Sequence, residues 1–387
     1  MKQIVLSAML LAISLSVMAV AEPVKIGLIT TLSGPGSHLG EDVRDAFRLA
    51  IERGEGTLGG IPVELVVEDD GLRPQTGVQI AERMRERDGI GIMTGIIFSN
   101  VAMAVVPRLV RGGAFYISAN AAPSQLAGSG CHPNYFNAAY QNDNLHEAMG
   151  QYVTDVGHRN AYILAPNYPA GHDALAGFKR FYQGDIVAEV YTQLNQNDYA
   201  AELAAIRAAN PESVFFFKPG GMGINFVRQY AQAGLKDRIP LYGPGFSFDE
   251  RLLAAVGDAA LGVINSAQWN WDLDVPGNAE FVAAFREAYG RTPTLYAAQG
   301  YDAAQLIGSG LAAVNGDISR ADALRTALLA ADFPSVRGEF RFGNNQHPIQ
   351  HIYARQVVRA ENGGLTNQIV GQIFSDHVDA YAAECSM

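Results

Sequence analysis

The chain has 387 residues, enough for two domains at roughly 150 residues each. Hydrophobic residues make up 48% and charged residues 17%, a balance that fills ordinary buried cores and excludes charge-driven disorder. The formal charge of −11 excludes a nucleic-acid partner of the usual kind, because phosphate binding needs clustered Lys and Arg.

Residues 1–21 begin with Lys2, continue through an apolar run over 4–20 and end on Ala19-Val20-Ala21. A basic start, a short apolar stretch and a small-x-small end read as a secretory signal peptide, with cleavage expected after Ala21. An uncleaved anchor is the competing reading, and it is opposed by the shortness of the run against the about 20 residues a span requires. Export places Cys131 and Cys385 in an oxidising compartment. One disulfide tying the C-terminal tail to the body is therefore expected, with two buried free thiols as the alternative.

Past the signal, Val- and Ile-rich runs alternate with amphipathic stretches. Strands are predicted over 24–29, 61–67, 91–94 and 114–118, with helices over 41–53, 75–87 and 101–110 between them. A second series follows. It has helices over 145–156, 172–182, 199–208 and 224–233 and strands over 161–165, 186–191, 213–217 and 240–243. Such alternation implies parallel sheets with helices on both faces, hence two α/β lobes of one architecture. The stretches 131–144 and 266–278, rich in Pro, Asn and Trp, interrupt the pattern and read as crossovers. Helices over 279–289, 296–314 and 321–331 and β-like runs over 338–342, 351–358 and 368–374 complete the chain.

Enzyme and cofactor signatures are missing. Ser33-Gly34-Pro35-Gly36-Ser37 has neither the spacing nor the Lys of a phosphate loop, and no Gly-x-Ser-x-Gly elbow occurs. His347 and His351 flank Pro348 in a strand-like stretch, so they lack helical metal-ligand geometry and are expected at the surface. The run Glu68-Asp69-Asp70 reads as a solvated loop or a helix cap. No cofactor, no metal and no catalytic group is expected.

What remains are strand-to-helix junctions, where an open parallel sheet places its ligands. Ile97-Phe98-Ser99-Asn100 and Ser118-Ala119-Asn120-Ala121-Ala122-Pro123 can offer hydroxyl and backbone N–H donors to an anionic group. Ordinary helix capping is the competing reading. Tyr168 and Phe246 also follow strands and can cover an apolar ligand face or anchor their own loops.

Val24-Lys25-Ile26-Gly27 with Leu32-Ser33-Gly34-Pro35, then Ala165-Pro166-Asn167-Tyr168, then Gly257-Asp258-Ala259-Ala260-Leu261-Gly262 occur in an order that resembles the type I periplasmic solute-binding proteins of ABC importers, in the branched-chain amino-acid binding group. The resemblance covers essentially the whole mature chain. It implies two Rossmann-like lobes of the periplasmic binding protein-like I fold, joined by three hinge crossovers: 22–140 plus 268–342, and 141–267 plus 343–387. It further implies a periplasmic and monomeric protein, a ligand closed between the lobes and an inner-membrane ABC permease as partner.

Position by position, the resemblance gives Ser99 the role of bonding a ligand carboxylate. Ala121 and Ala122 would offer backbone N–H groups to it, and Tyr168 would lean over the ligand. Amino-acid binders of the group often carry Thr at the position of Ala122 and an acid near Gly245 to hold an ammonium; both are absent here. Asn120-Ala121-Ala122-Pro123-Ser124-Gln125-Leu126, Tyr168-Pro169-Ala170-Gly171 and Thr294-Leu295-Tyr296-Ala297-Ala298-Gln299-Gly300-Tyr301-Asp302 are similar to a subgroup that takes aromatic carboxylates. A benzoate- or hydroxycinnamate-like ligand is expected, with Leu39, Ala122, Gly245 and Ala298 leaving room for a ring and Phe98, Tyr168 and Phe246 stacking on it. A branched-chain amino-acid or amide receptor and an exported sensing module are the alternatives.

Overall fold

The computed structural model describes residues 22–387; the expected signal peptide and its cleavage site lie outside the described residues. The first series runs β1 (Val24–Thr30), α1 (Ser37–Arg53), β2 (Thr57–Leu58), β3 (Ile61–Asp69), α2 (Pro74–Glu86), β4 (Ile92–Thr94), α3 (Ser99–Arg111), β5 (Phe115–Ser118), α4 (Ser124–Ala127) and β6 (Tyr135–Asn137). The sheet order is β2-β3-β1-β4-β5-β6, parallel except where β2 pairs back on β3. β1 is buried continuously from Ile26, as a strand covered by helices on both faces must be.

The second series is α5 (Asn144–Asp155), β7 (Asn160–Pro166), α6 (Pro169–Phe181), β8 (Asp185–Thr192), α7 (Ala200–Ala209), β9 (Ser213–Phe216), α8 (Gly221–Gln232), β10 (Leu241–Pro244), α9 (Glu250–Val256) and β11 (Ile264–Ala267). Helices α10 (Asn278–Tyr289), α11 (Leu295–Val314) and α12 (Ala321–Ala330) then return to the first lobe. There α11 lies so close along α1 that a Cβ on Gly300 would sit 2.5 Å from the Val43 carbonyl oxygen. The chain closes with β12 (Arg341–Phe342), β13 (Pro348–Arg359) and β14 (Leu365–His377), and the second sheet reads β12-β13-β11-β10-β9-β7-β8, with β14 on β13. The architecture is α/β, two Rossmann-like lobes.

Local chemistry explains where several helices start. Pro74 and Pro169 open α2 and α6, where the missing N–H costs no helical bond. Asp249 caps α9 by accepting from Arg251 and Leu252 N–H groups, both at 3.1 Å.

The backbone passes between the sheets three times, after β6, after β11 and before β12. Arg337 ties the first and third passages together, donating to Ala139 O at 2.6 Å, Gln350 Oε1 at 2.8 Å and Asp302 Oδ2 at 2.9 Å.

The structure departs from expectation in places. Strands β6 and β11 and helix α9 were not predicted, and the expected strand over 338–342 shrinks to β12. The new strands are so short that neighbouring strands, rather than their own composition, decide their state. Asp70 is buried and accepts from Thr31 Oγ1 and Leu72 N, both at 2.7 Å, so it braces the loop after β3 instead of facing water. His347 is likewise no surface residue. It is buried edge-on against Tyr135, with Nδ1 2.9 Å from Asn345 O, while His351 is exposed.

Candidate ligand-binding site

The carboxyl ends of the parallel strands of both sheets point into one cleft. From the first lobe come Leu39 at the start of α1, Ile97, Phe98 and Ser99 after β4, Asn120 after β5 and Tyr296 at the start of α11. Tyr140 and Asn142 come from the first crossover, and the second lobe brings Tyr168 and Ala170 after β7, Phe217 and Pro219 after β9 and Phe246 after β10. The space between these residues is about 290 Å³, part of it open to solvent, and only about 20 Å³ of it admits the centre of a water-sized sphere, so the lobes are closed tightly on one another here.

Six of the lining side chains are aromatic, and they form a connected wall. Ring centroids are 6.4 Å apart for Phe98 and Tyr168, 6.2 Å for Tyr168 and Phe217, and 6.0 Å for Phe217 and Phe246. Phe246 lies 4.9 Å from Tyr140 and 5.9 Å from Tyr296. These separations suit offset and edge contacts between rings. Behind the wall His146 packs 4.9 Å from Phe217; burial pulls its imidazole down to about 3, so it is neutral. Burial also pushes the Tyr140, Tyr168 and Tyr296 phenols up, which keeps them protonated and able to donate. Among the described residues, no charged side chain lines the cavity.

The polar end is the N-terminus of α3. Ser99 and Asn100 are its first residues, whose N–H groups lack an intrahelical acceptor by helix geometry. Ser99 Oγ accepts from Asn142 Nδ2 at 3.1 Å, and the same Nδ2 donates to Asp173 Oδ2 at 2.8 Å. Asn120 spans Ile97 O, at 2.8 Å from Nδ2, and the Tyr140 hydroxyl, at 3.3 Å from Oδ1.

Leu39, Phe98, Ser99, Asn120, Tyr168 and Phe246 are thus brought together at the cavity, whereas Ala121 and Ala122 are not among its lining residues. Their N–H groups, expected to meet a carboxylate, are used internally: Ala121 N donates to Ile96 O at 3.2 Å and Ala122 N to Asn142 Oδ1 at 3.1 Å. Gly245 does not leave room for a ring either, because a Cβ there would lie 2.5 Å from Arg355 Nη2 and 2.9 Å from Leu295 Cδ2. Tyr140, Asn142, Phe217, Pro219 and Tyr296 are the lining residues that sequence reasoning missed. The apolar run ending at Phe217 and the motif containing Tyr296 were visible, but read as a strand and a helix.

Contacts across the mouth hold the lobes together. Arg251 of α9 donates to Glu41 at 3.0 Å, to Asp42 at 2.9 Å and to the His38 carbonyl at 3.1 Å. Ser124 of α4 donates to Asp173 of α6 through N, at 3.1 Å, and Oγ, at 2.7 Å. Cys131 and Cys385 are joined, with Cα atoms 5.7 Å apart. Among the described residues, no group of three or more His, Cys, Asp or Glu side chains could hold a metal, and no helix is long and apolar enough to cross a membrane.

Two α/β lobes, three crossovers and an enclosed cleft at the strand ends define a solute-binding protein. The chain matches the Periplasmic binding protein family over residues 23–364, and it belongs to that family. Leu/Ile/Val-binding protein homolog 6 of Brucella melitensis is 27% identical over 377 residues, 95% of this chain and 96% of the relative. A solved ABC-transporter solute-binding protein from R. palustris, in complex with benzoate, superposes with a TM-score of 0.89 at 30% identity, over 94% of this chain and 100% of its own. Another, from Rhodopseudomonas palustris BisB5 in complex with 3,4-dihydroxy benzoic acid, gives 0.84 at 28% identity, over 92% and 98%. The family and these neighbours are transport proteins, so the chain is an ABC solute-binding protein and not an enzyme. Membership implies a periplasmic address, a small-molecule ligand and a permease partner.

Proposed function

We propose that this protein captures a small aromatic carboxylate, benzoate-like in size, and delivers it to an inner-membrane permease. The observation that carries the reading is the composition of the cavity: six aromatic side chains in its wall, a helix N-terminus with Ser99 at one end, and, among the described residues, no carboxylate in the lining. The ring would lie among Phe98, Tyr168 and Phe246, with Leu39 beside it. The carboxylate would meet Ser99 and the first amides of α3, while Asn120 holds Tyr140 in place. The moving bodies would be 22–140 plus 268–342 and 141–267 plus 343–387. Structural neighbours at 30% and 28% identity that hold benzoate and 3,4-dihydroxy benzoic acid support the same class.

The second reading, a branched-chain amino-acid receptor, draws on the Leu/Ile/Val-binding homologue at 27% identity. It requires an acceptor for the ligand ammonium. Asp173, which is bonded to Asn142 of the lining, already accepts three hydrogen bonds, from Ser124 N, Ser124 Oγ and Asn142 Nδ2. An ammonium buried without a partner costs several kcal/mol.

Isothermal titration of ligand-free protein with benzoate, 4-hydroxybenzoate, a hydroxycinnamate and leucine separates the two. Micromolar or tighter binding of a benzoate is expected, about −8 kcal/mol or more. Tight leucine binding with no aromatic response would overturn the proposal.

A further inference from the structure

Asn142 lies in the first crossover, between the lobes, and its neighbours assign every polar atom of its amide. Oδ1 accepts the Ala122 N–H at 3.1 Å, while Nδ2 donates to Asp173 Oδ2 at 2.8 Å and to Ser99 Oγ at 3.1 Å. A backbone N–H can only donate and a carboxylate can only accept, so the amide cannot be turned over without breaking both ends. Asp173 is itself held by Ser124 N and Ser124 Oγ from the opposite lobe.

One consequence falls on Ser99. Its oxygen accepts a hydrogen bond from Asn142 Nδ2, and its own O–H, which no described residue accepts, is left to donate. Ser99 is only 2% exposed and lines the cavity, so the direction left for that donor is the bound ligand. We infer that Asn142 and Asp173 are positioning residues that occupy one acceptor site of the Ser99 hydroxyl and turn its O–H toward the ligand, so that this end of the cavity favours a carboxylate, whose polar atoms all accept, over an amide. The relay joins Ser99 and Ser124 of one lobe to Asp173 of the other, so it is complete only when the lobes meet. It deepens the proposed function and rests on the reading that a ligand carboxylate lies at Ser99.

A bare negative charge at Asp173 would act in the opposite sense, repelling a carboxylate. The two effects therefore separate by direction. Titration of the mature protein with benzoate and with its neutral isostere benzamide measures the carboxylate-over-amide preference. Asp173→Ala, which removes the acceptor, is expected to lower that preference about tenfold, the scale of one hydrogen bond to a charged group. Asp173→Asn keeps an oxygen for both N–H donors and a nitrogen that Ser124 Oγ can accept, and is expected to retain the preference. Asn142→Leu should reproduce Asp173→Ala, and in a Ser99→Ala background neither should change the ratio further. Far-UV circular dichroism and thermal midpoints establish that each variant folds.

The inference fails if both Asp173 substitutions raise the preference together, which marks a bare charge. It fails equally if Asp173→Ala and Asn142→Leu weaken benzoate and benzamide by one common factor, or act as strongly without Ser99, since both results mark a scaffold. Should the wild type take leucine and no benzoate, the aromatic reading falls alone. The relay is then scored by the same ratio on leucine against leucinamide.

Discussion

Gly245 shows how one missing side chain is compensated by a distant one. Arg355, on β13, fills the space a Cβ would need and is fully enclosed, donating to Asn265 Oδ1 from Nε at 3.0 Å and from Nη2 at 2.7 Å, and to Asn270 Oδ1 at 3.0 Å. Burial lowers its guanidinium to about 10, with Glu250 and Asp249 acting the other way, so it stays charged at neutral pH. A fixed cation thus stands beside Gly245, the position whose lack of an acid the sequence analysis singled out, next to Phe246 of the cavity wall. Gly245→Glu is expected to overpack this contact and destabilise the protein by about 1–3 kcal/mol. Any charge it added would pair with Arg355, so leucine binding should not appear. Thermal denaturation and leucine titration of the variant check both parts, and a gain of leucine affinity would show that Arg355 does not control the position.

At the scale of elements, the end of β9 separates two environments by strand alternation. Phe217 turns to the cavity, while the next residue, Lys218, turns into the core of the second lobe. Its Nζ donates to Thr192 Oγ1 at 2.6 Å and lies 4.6 Å from the Tyr199 ring centroid, without a carboxylate partner among the described residues. Burial lowers the amine to about 7, and Glu202 opposes this only in part. An unfolded lysine holds its proton up to about pH 10.4. Between these values the unfolded chain binds more protons than the folded one, so stability rises with pH across the window. Below pH 7 both states are protonated and the full burial cost applies. Lys218→Met is therefore expected to stabilise the protein at pH 7 by about 1–4 kcal/mol and to flatten the rise toward pH 9. Chemical denaturation at a series of pH values measures this; an unchanged slope would mean that the folded amine keeps its proton.

For the whole molecule, the tail after β14 leaves the second lobe and is bonded through Cys385 to Cys131, which follows α4 in the first. The link closes a loop of 254 residues in sequence and is a covalent tie between lobes besides the three crossovers. Tyr381 seats the tail on the way, donating to Asp143 Oδ2 at 2.9 Å. Cys131→Ser/Cys385→Ser is expected to lose about 2–5 kcal/mol of stability, chiefly through a freer unfolded chain. The ligand-free protein should also open wider. Denaturation and small-angle scattering of the double variant test the two effects, and an unaltered scattering profile would restrict the bond's role to stability.

The two α/β series were legible in the amino-acid sequence, because buried strands need Val- and Ile-rich runs and their helices need one apolar face. It also pointed to the candidate cleft, since ligands of parallel sheets sit at strand ends: Phe98, Ser99, Asn120, Tyr168 and Phe246, which line it, stand where that rule looks. Which donors are free depends on contacts between distant segments. The N–H groups of Ala121 and Ala122 are satisfied by Ile96 and by Asn142, a residue from an aperiodic crossover. Phe217 and Tyr296 belong to runs that read as core until the facing lobe turns them into cavity wall. The anion end and the absent ammonium holder were legible as residue types. Their polarity came from Asn142, Asp173 and Arg355, whose contacts join parts of the chain that no local pattern connects.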